Sequence, residues 1–177
     1  RQMCIRDRHD TMWLRIFDSA CAYCAALTGQ TEQIPALFRD HALHTVHLLA
    51  PCRPMMEMIE NQVYLAEDAC ARVIGRSEGL LAQCAQQHYA LVALQVRIQT
   101  AAAYAALGKR PEARSLLGQA LRAAAPDGLL LPFAENGRGL RPLLSSGAWE
   151  ADLGDFPQRA ADCIACLLYT SPEPTRL

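Results

Sequence analysis

The chain has 177 residues, with 17 Lys and Arg against 18 Asp and Glu, for a formal net charge of −1. A balance so close to neutral, with no basic block, argues against a nucleic-acid-binding surface. No apolar run reaches the ~18–20 residues that span a bilayer, so membrane insertion is not expected and cytoplasm is the expected compartment. Alanine and leucine dominate while aromatics make up only 6% of residues, which favours helix throughout.

The first predicted helix covers about Thr11 to Leu27, with Trp13, Leu14, Phe17, Ala20, Cys21, Cys24 and Leu27 as its apolar stripe and Gly29 as its stop. A second is expected to open at Thr31, Glu32 and Pro35 and to run through Leu37, Phe38, Leu43, Val46 and Leu49 to about Ala50. Pro51 and Pro54 punctuate a connector. The third spans about Met55 to Glu67, the fourth about Cys70 to Gln86, and the fifth about His88 to Leu107. The sixth covers residues 111–125, with Pro111 at its start and Pro126-Asp127-Gly128 beyond its end. Ala113, Leu116, Leu117, Ala120, Leu121 and Ala124 share one face of it at helical spacing.

Residues 101–128 therefore read as a helical hairpin turned at Gly108. It cannot bury its apolar face alone and needs copies of itself to stack on. GLLAQC around Leu81 and SLLGQA around Leu117 suggest a period of roughly 40 residues per helix pair, longer than the ~34 of standard tetratricopeptide repeats. The fold expected is all-α, a tetratricopeptide-like solenoid of stacked antiparallel helix pairs. After Gly128 the character shifts to a short apolar run, an Asn136-Gly137 turn and a short helix near Leu140 to Ser145; from Gly154 onward the signals are weak.

The two ends stand apart. MCIRDR at 3–8 and CLLYTS at 166–171 resemble translations of the two strands of a transposon-end adapter. Residues 1–8 and 166–177 are accordingly set outside the fold. The organisation expected is a helical-repeat domain at 9–128 and a capping segment with the start of a linker at 129–165, within a fragment of a longer protein.

Tyr104, Gly108, Glu112-Ala113, Leu117, Ala120 and Pro126 resemble a tetratricopeptide signature. The run GLLAQCAQQHYALVALQVRIQTAAAYAALGKRPEARSLLGQALRAAAPDG, continuing into LLLPFAENGRGLRPLL, is similar to the helical-repeat region of large bacterial LuxR-type, MalT-like transcriptional regulators. The resemblance covers roughly residues 12–146. It implies an ATPase module before the repeats and a helix-turn-helix after them, so ATP and DNA would be partners only through those missing domains. No phosphate loop is present, since Gly108-Lys109 is followed by Arg110 in a hairpin turn, and no recognition helix is present. What the family implies for these residues is a sensor that binds an effector small molecule or a regulatory protein on its concave face. The alternative is a stand-alone tetratricopeptide-like interaction scaffold.

Catalytic and metal-binding readings are weak. Cys21 and Cys24 carry zinc spacing, but inside an apolar helical stripe; Cys163 and Cys166 depend on an adapter-like residue. The cysteines outside the ends are expected to be reduced thiols. His41, His44 and His47 diverge around a helix with no carboxylate at useful spacing, and read as a partly exposed polar face. Glu57, Glu60, Glu67 and Asp68 read as a solvated face, because paired catalytic acids need a desolvated pocket. Met55, Met56 and Met58 read as core filler. No nucleophile motif occurs, so no enzymatic activity, metal or cofactor is expected. The binding residues expected are Gln95 and Gln99, four apart on the fifth helix and opposite the Leu94, Ala101 and Tyr104 face, where long amides can hydrogen-bond an effector.

Overall fold

The computed structural model describes the backbone of residues 2–137, 139–146 and 149–170, and the side chains of 14–137, 139–145 and 149–166. All regular structure among the described residues is helical. The elements are α1 (Gln2–Thr28), α2 (Ala36–Arg39), α3 (Arg53–Ala66), α4 (Cys70–Gln86), α5 (Ala90–Ala106), α6 (Arg110–Ala124), α7 (Leu131–Asn136), α8 (Arg141–Ser146) and α9 (Phe156–Thr170). The adapter-like stretches continue the backbone of α1 and α9; Arg1 and residues 171–177 of those stretches lie outside the described residues.

The turns that separate the central helices obey one rule. Asp68, His88, Gly108 and Gly128 all have left-handed backbone, with φ of 58°, 57°, 74° and 64°. They fall 20 residues apart. Each is followed by an amide that reaches back five residues: Ala69 to Tyr64, Tyr89 to Cys84, Lys109 to Tyr104 and Leu129 to Ala124. These bonds satisfy carbonyls that a helix end leaves without a partner. Two such units span 40 residues.

α1, α3, α5 and α7 pack on one another in succession, while α4 packs on both α3 and α5, and α6 on α5. α9 closes against α7 and α8. One core, under α1 to α5, gathers Phe38, Ile59, Val63 and Leu80; the other, under α5 to α9, gathers Ile98, Leu117, Phe133 and Ile164. α5 joins the two, sending Ala93 and Val96 to the first and Leu94, Ile98 and Ala101 to the second. A helix enclosed on most of its circumference needs no polar face, and α5 is accordingly the most apolar of the long helices. On α6 the expected face is buried, with Leu116 only partly so.

Two expected elements come out differently. α1 buries Ser19, Ala22, Ala25 and Ala26, while Leu14 and Phe17 are 60% and 66% exposed; Trp13 lies outside the described side chains. Its partner α3 meets the alanine side, so the larger residues of the expected stripe are left facing out. The second long helix does not form. Pro35 holds Ile34 extended, α2 lasts a single turn, and His41 then adopts left-handed backbone at φ 52°. Two 3-10 turns follow, Ala42–Thr45 and Ala50–Cys52, with Val46 and Leu49 extended between them. The buried apolar residues here are Ile34, Phe38, Leu43 and Leu48, a spacing that no continuous helix places on one face.

Candidate functional site

α7 starts at Leu131 with Pro132 inside its first turn, where a missing amide costs nothing. It ends at Asn136, and Gly137 follows in a conformation open to any residue, φ −99°. The glycine is required by space instead. A Cβ there would collide with Phe133 O and Ile164 Cδ1, and would lie 2.8 Å from Ile164 Cγ1. This close approach seats α7 on α9 and turns Glu135 and Asn136 toward α1 and α5.

A network forms where these helices meet. Tyr23 Oη of α1 donates to Glu135 Oε2 at 2.8 Å, and Gln95 Nε2 of α5 donates to the same oxygen at 2.9 Å. Asn136 Nδ2 donates to Gln95 Oε1 and, at 2.9 Å, to Pro132 O. One turn along α5, Gln99 Nε2 donates to Met58 O at 3.1 Å and to Gln62 Oε1 at 3.2 Å, both on α3. Burial first, then the Glu135 hydrogen bond, raises the Tyr23 phenol above its ordinary range.

Above this network lies a groove of about 650 Å³. Its apolar wall includes Leu27, Leu65, Ala102, Leu131, Ala134 and Ile164. Its polar wall is Thr28, Thr31, Gln62, Asp68, Glu135 and Asn136, with Cys70 beside them. Two carboxylates therefore face the groove, and none of its described lining residues is Lys, Arg or His. Both volume and lining suit a small organic ligand.

Gln95 and Gln99 are not on the groove wall. They are 8% and 0% exposed, sit beneath it, and hold Glu135, Asn136 and Gln62, which do line it. They are positioning residues, placed there because α5 is enclosed on the side the sequence reading left open. Tyr23, Glu135 and Asn136 were not anticipated. The only local signal was an Asp/Glu-type residue followed by Asn within an otherwise apolar run, LLLPFAEN.

The acidic residues of α3 also depart from the expected solvated face. Glu60 is 4% exposed and pairs with Arg76 of α4, which also reaches Glu57 at 3.5 Å. Arg53 meets Glu57 at 3.4 Å. Tyr64 packs between them: His41 stacks on its ring at 4.4 Å, and Arg72 and Arg76 sit 5.4 and 5.5 Å from its centroid. A second cavity of about 430 Å³ opens beside this cluster, with charges of both signs on its wall.

The three histidines separate. His41 Nε2 meets Glu67 at 3.1 Å, His44 Nδ1 is 3.1 Å from His41 O, and the His47 carbonyl accepts from Arg15 at 2.9 Å. Among the described residues no three metal-ligating side chains come together. Cys21 is partly buried and Cys24 exposed on α1, Cys70 and Cys84 are buried, and no disulfide joins any two described cysteines. Met56 and Met58 are core residues as expected, whereas Met55 is 44% exposed. No described helix is long and apolar enough to cross a membrane.

Comparison with known proteins adds no relative: no family model matches the chain, and no curated protein or solved structure is significantly similar to it.

Proposed function

We propose that this chain is the helical-repeat sensor region of a bacterial LuxR-type, MalT-like transcriptional regulator. Its helix pairs stack as a tetratricopeptide-like solenoid, and the groove on the layer formed by α1, α3, α5 and α7 holds an effector. The observation that carries the reading is the 20-residue cadence of left-handed helix ends at 68, 88, 108 and 128, a repeat written into the backbone. The groove supports it, because it lies where one helix of each pair lines a common surface. The resemblance of residues 12–146 supplies the regulator context.

In this mechanism the effector favours one arrangement of the array over another, and the flanking ATPase and helix-turn-helix respond. The shift can be no larger than the effector's differential affinity for the two arrangements. The test is the uninterrupted genomic locus. An in-frame phosphate loop upstream and a helix-turn-helix downstream are the expected result. Open flanks that encode neither would overturn the regulator reading in favour of a stand-alone interaction scaffold.

A further inference from the structure

We propose that the groove binds a small apolar molecule carrying a single ammonium group, with Glu135 and Asn136 accepting its N–H bonds; this rests on the groove being the effector site.

The argument starts from which atoms can only accept. Glu135 is a carboxylate and Pro132 O is a carbonyl; neither donates. The amide chain between them is therefore fixed from both ends. Gln95 must turn its Nε2 toward Glu135, which leaves Oε1 toward Asn136. Asn136 must turn its Nδ2 toward Gln95 Oε1 and Pro132 O. Its Oδ1 is then left over, and it is buried with no hydrogen bond. Asn136 is 5% exposed and lines the groove. Tyr23 and Gln95 both donate to Glu135 Oε2, so no described donor occupies Oε1.

Every unspent hydrogen-bonding atom of Glu135 and Asn136 is thus an acceptor, and Asp68 adds a second carboxylate to the groove lining. A buried acceptor without a donor is costly, and a donor that arrives with a ligand recovers that cost. An ammonium group supplies several N–H donors and the matching charge. An anion would face two carboxylates with no described cation lining the groove. A neutral alcohol could give one hydrogen bond but no charge complement. The rest of the ligand must be apolar, because Leu27, Leu65, Leu131, Ala134 and Ile164 make up much of the remaining lining.

The experiment is calorimetric titration of the full chain with three probes of one shape: octylammonium, octanol and octanoate. Octylammonium is expected to bind about tenfold more tightly than octanol, with octanoate weaker than both. In Glu135→Gln the preference for ammonium over alcohol is expected to fall to near unity, while circular dichroism shows the helices intact. Asp68→Asn, at an exposed position whose left-handed backbone asparagine accepts, is expected to weaken octylammonium alone by about twofold, which keeps the test open should Glu135→Gln fail to fold. Equal or tighter binding of octanol or octanoate overturns the ammonium assignment and leaves the groove as the binding site. Failure of all three probes to saturate overturns the groove as a small-molecule site, and with it the place given to the effector.

Discussion

The four left-handed helix ends make a quantitative prediction. Nothing lies within 4 Å of where a Cβ would stand at Gly108, so Gly108→Ala meets no clash and its cost is backbone conformation alone. That cost is about 1–2 kcal/mol, offset slightly because alanine also restricts the unfolded chain. His88 occupies the same conformation at φ 57° and is exposed. His88→Gly releases the same strain in reverse and should stabilise the chain by about 0.5–1 kcal/mol after the larger unfolded-state entropy of glycine is subtracted. For a chain of this size each kcal/mol moves the melting temperature by about 2–4 °C. Urea and thermal unfolding followed by far-ultraviolet circular dichroism measure both variants. The pair should move in opposite directions from the parent. Gly108→Ala as stable as the parent, or His88→Gly less stable than it, refutes the assignment of 88 and 108 as equivalent positions of one repeat.

Other substitutions probe separate contacts. Gly137→Ala should cost about 2–3 kcal/mol by thermal denaturation, because the added methyl collides with the Phe133 carbonyl as well as with Ile164. Arg76→Met should cost about 2–3 kcal/mol by leaving Glu60 buried and unpaired, and the double variant Glu60→Leu/Arg76→Met should recover most of it. Ultraviolet titration should show one phenol ionising above the ordinary tyrosine range, and Tyr23→Phe should remove that phase. Because its folded pKa lies above the unfolded value of 10.0, Tyr23 stabilises the fold fully below that pH, and the contribution fades as pH rises past it. Iodoacetamide at mildly alkaline pH should modify exposed Cys24 well before Cys70 and Cys84, whose thiols burial pushes up; equal rates, read by mass spectrometry, would contradict their burial.

The central helices were legible because their signals are local. α3 to α6 match the expected spans to within a few residues, since caps, prolines and period-3.6 apolar faces are encoded within each segment. Residues 31–52 were not, because their buried side chains answer to α1 and α3 rather than to a period of their own. Ile34, Phe38, Leu43 and Leu48 reach one core only if the chain breaks at Pro35 and His41. α9 was overlooked although Phe156, Ala160, Ala161 and Ile164 mark a helical face; beside Gly154 and an adapter-like tail the pattern is short. The groove was half legible. Gln95 and Gln99 stood out as amides on an apolar helix, but which side of α5 is enclosed depends on α3 and α7. Tyr23 and Glu135 are 112 residues apart, and no local pattern announces that they meet.

That long-range pairing bears on how the groove could act. Glu135 is held at once by α1 through Tyr23 and by α5 through Gln95, and Gln99 ties the same α5 to α3. A hydrogen-bonded amide in a buried setting contributes little net stability but penalises any shift that separates it from its partner. A slide of α5 by one turn would strand Gln99 from α3, and Gln95 from Glu135 and Asn136 on α7, whereas the alanines and leucines around them would tolerate a new register. The network therefore sets register more than it adds cohesion. A ligand that binds Glu135 engages an atom group already shared by α1, α5 and α7, so its binding energy acts on the relative placement of all three. Double-mutant cycles between Tyr23→Phe and Gln95→Leu measure this sharing. Coupling of about 1 kcal/mol is expected for two donors on one carboxylate oxygen, and additive losses would mean that the three helices hold Glu135 independently.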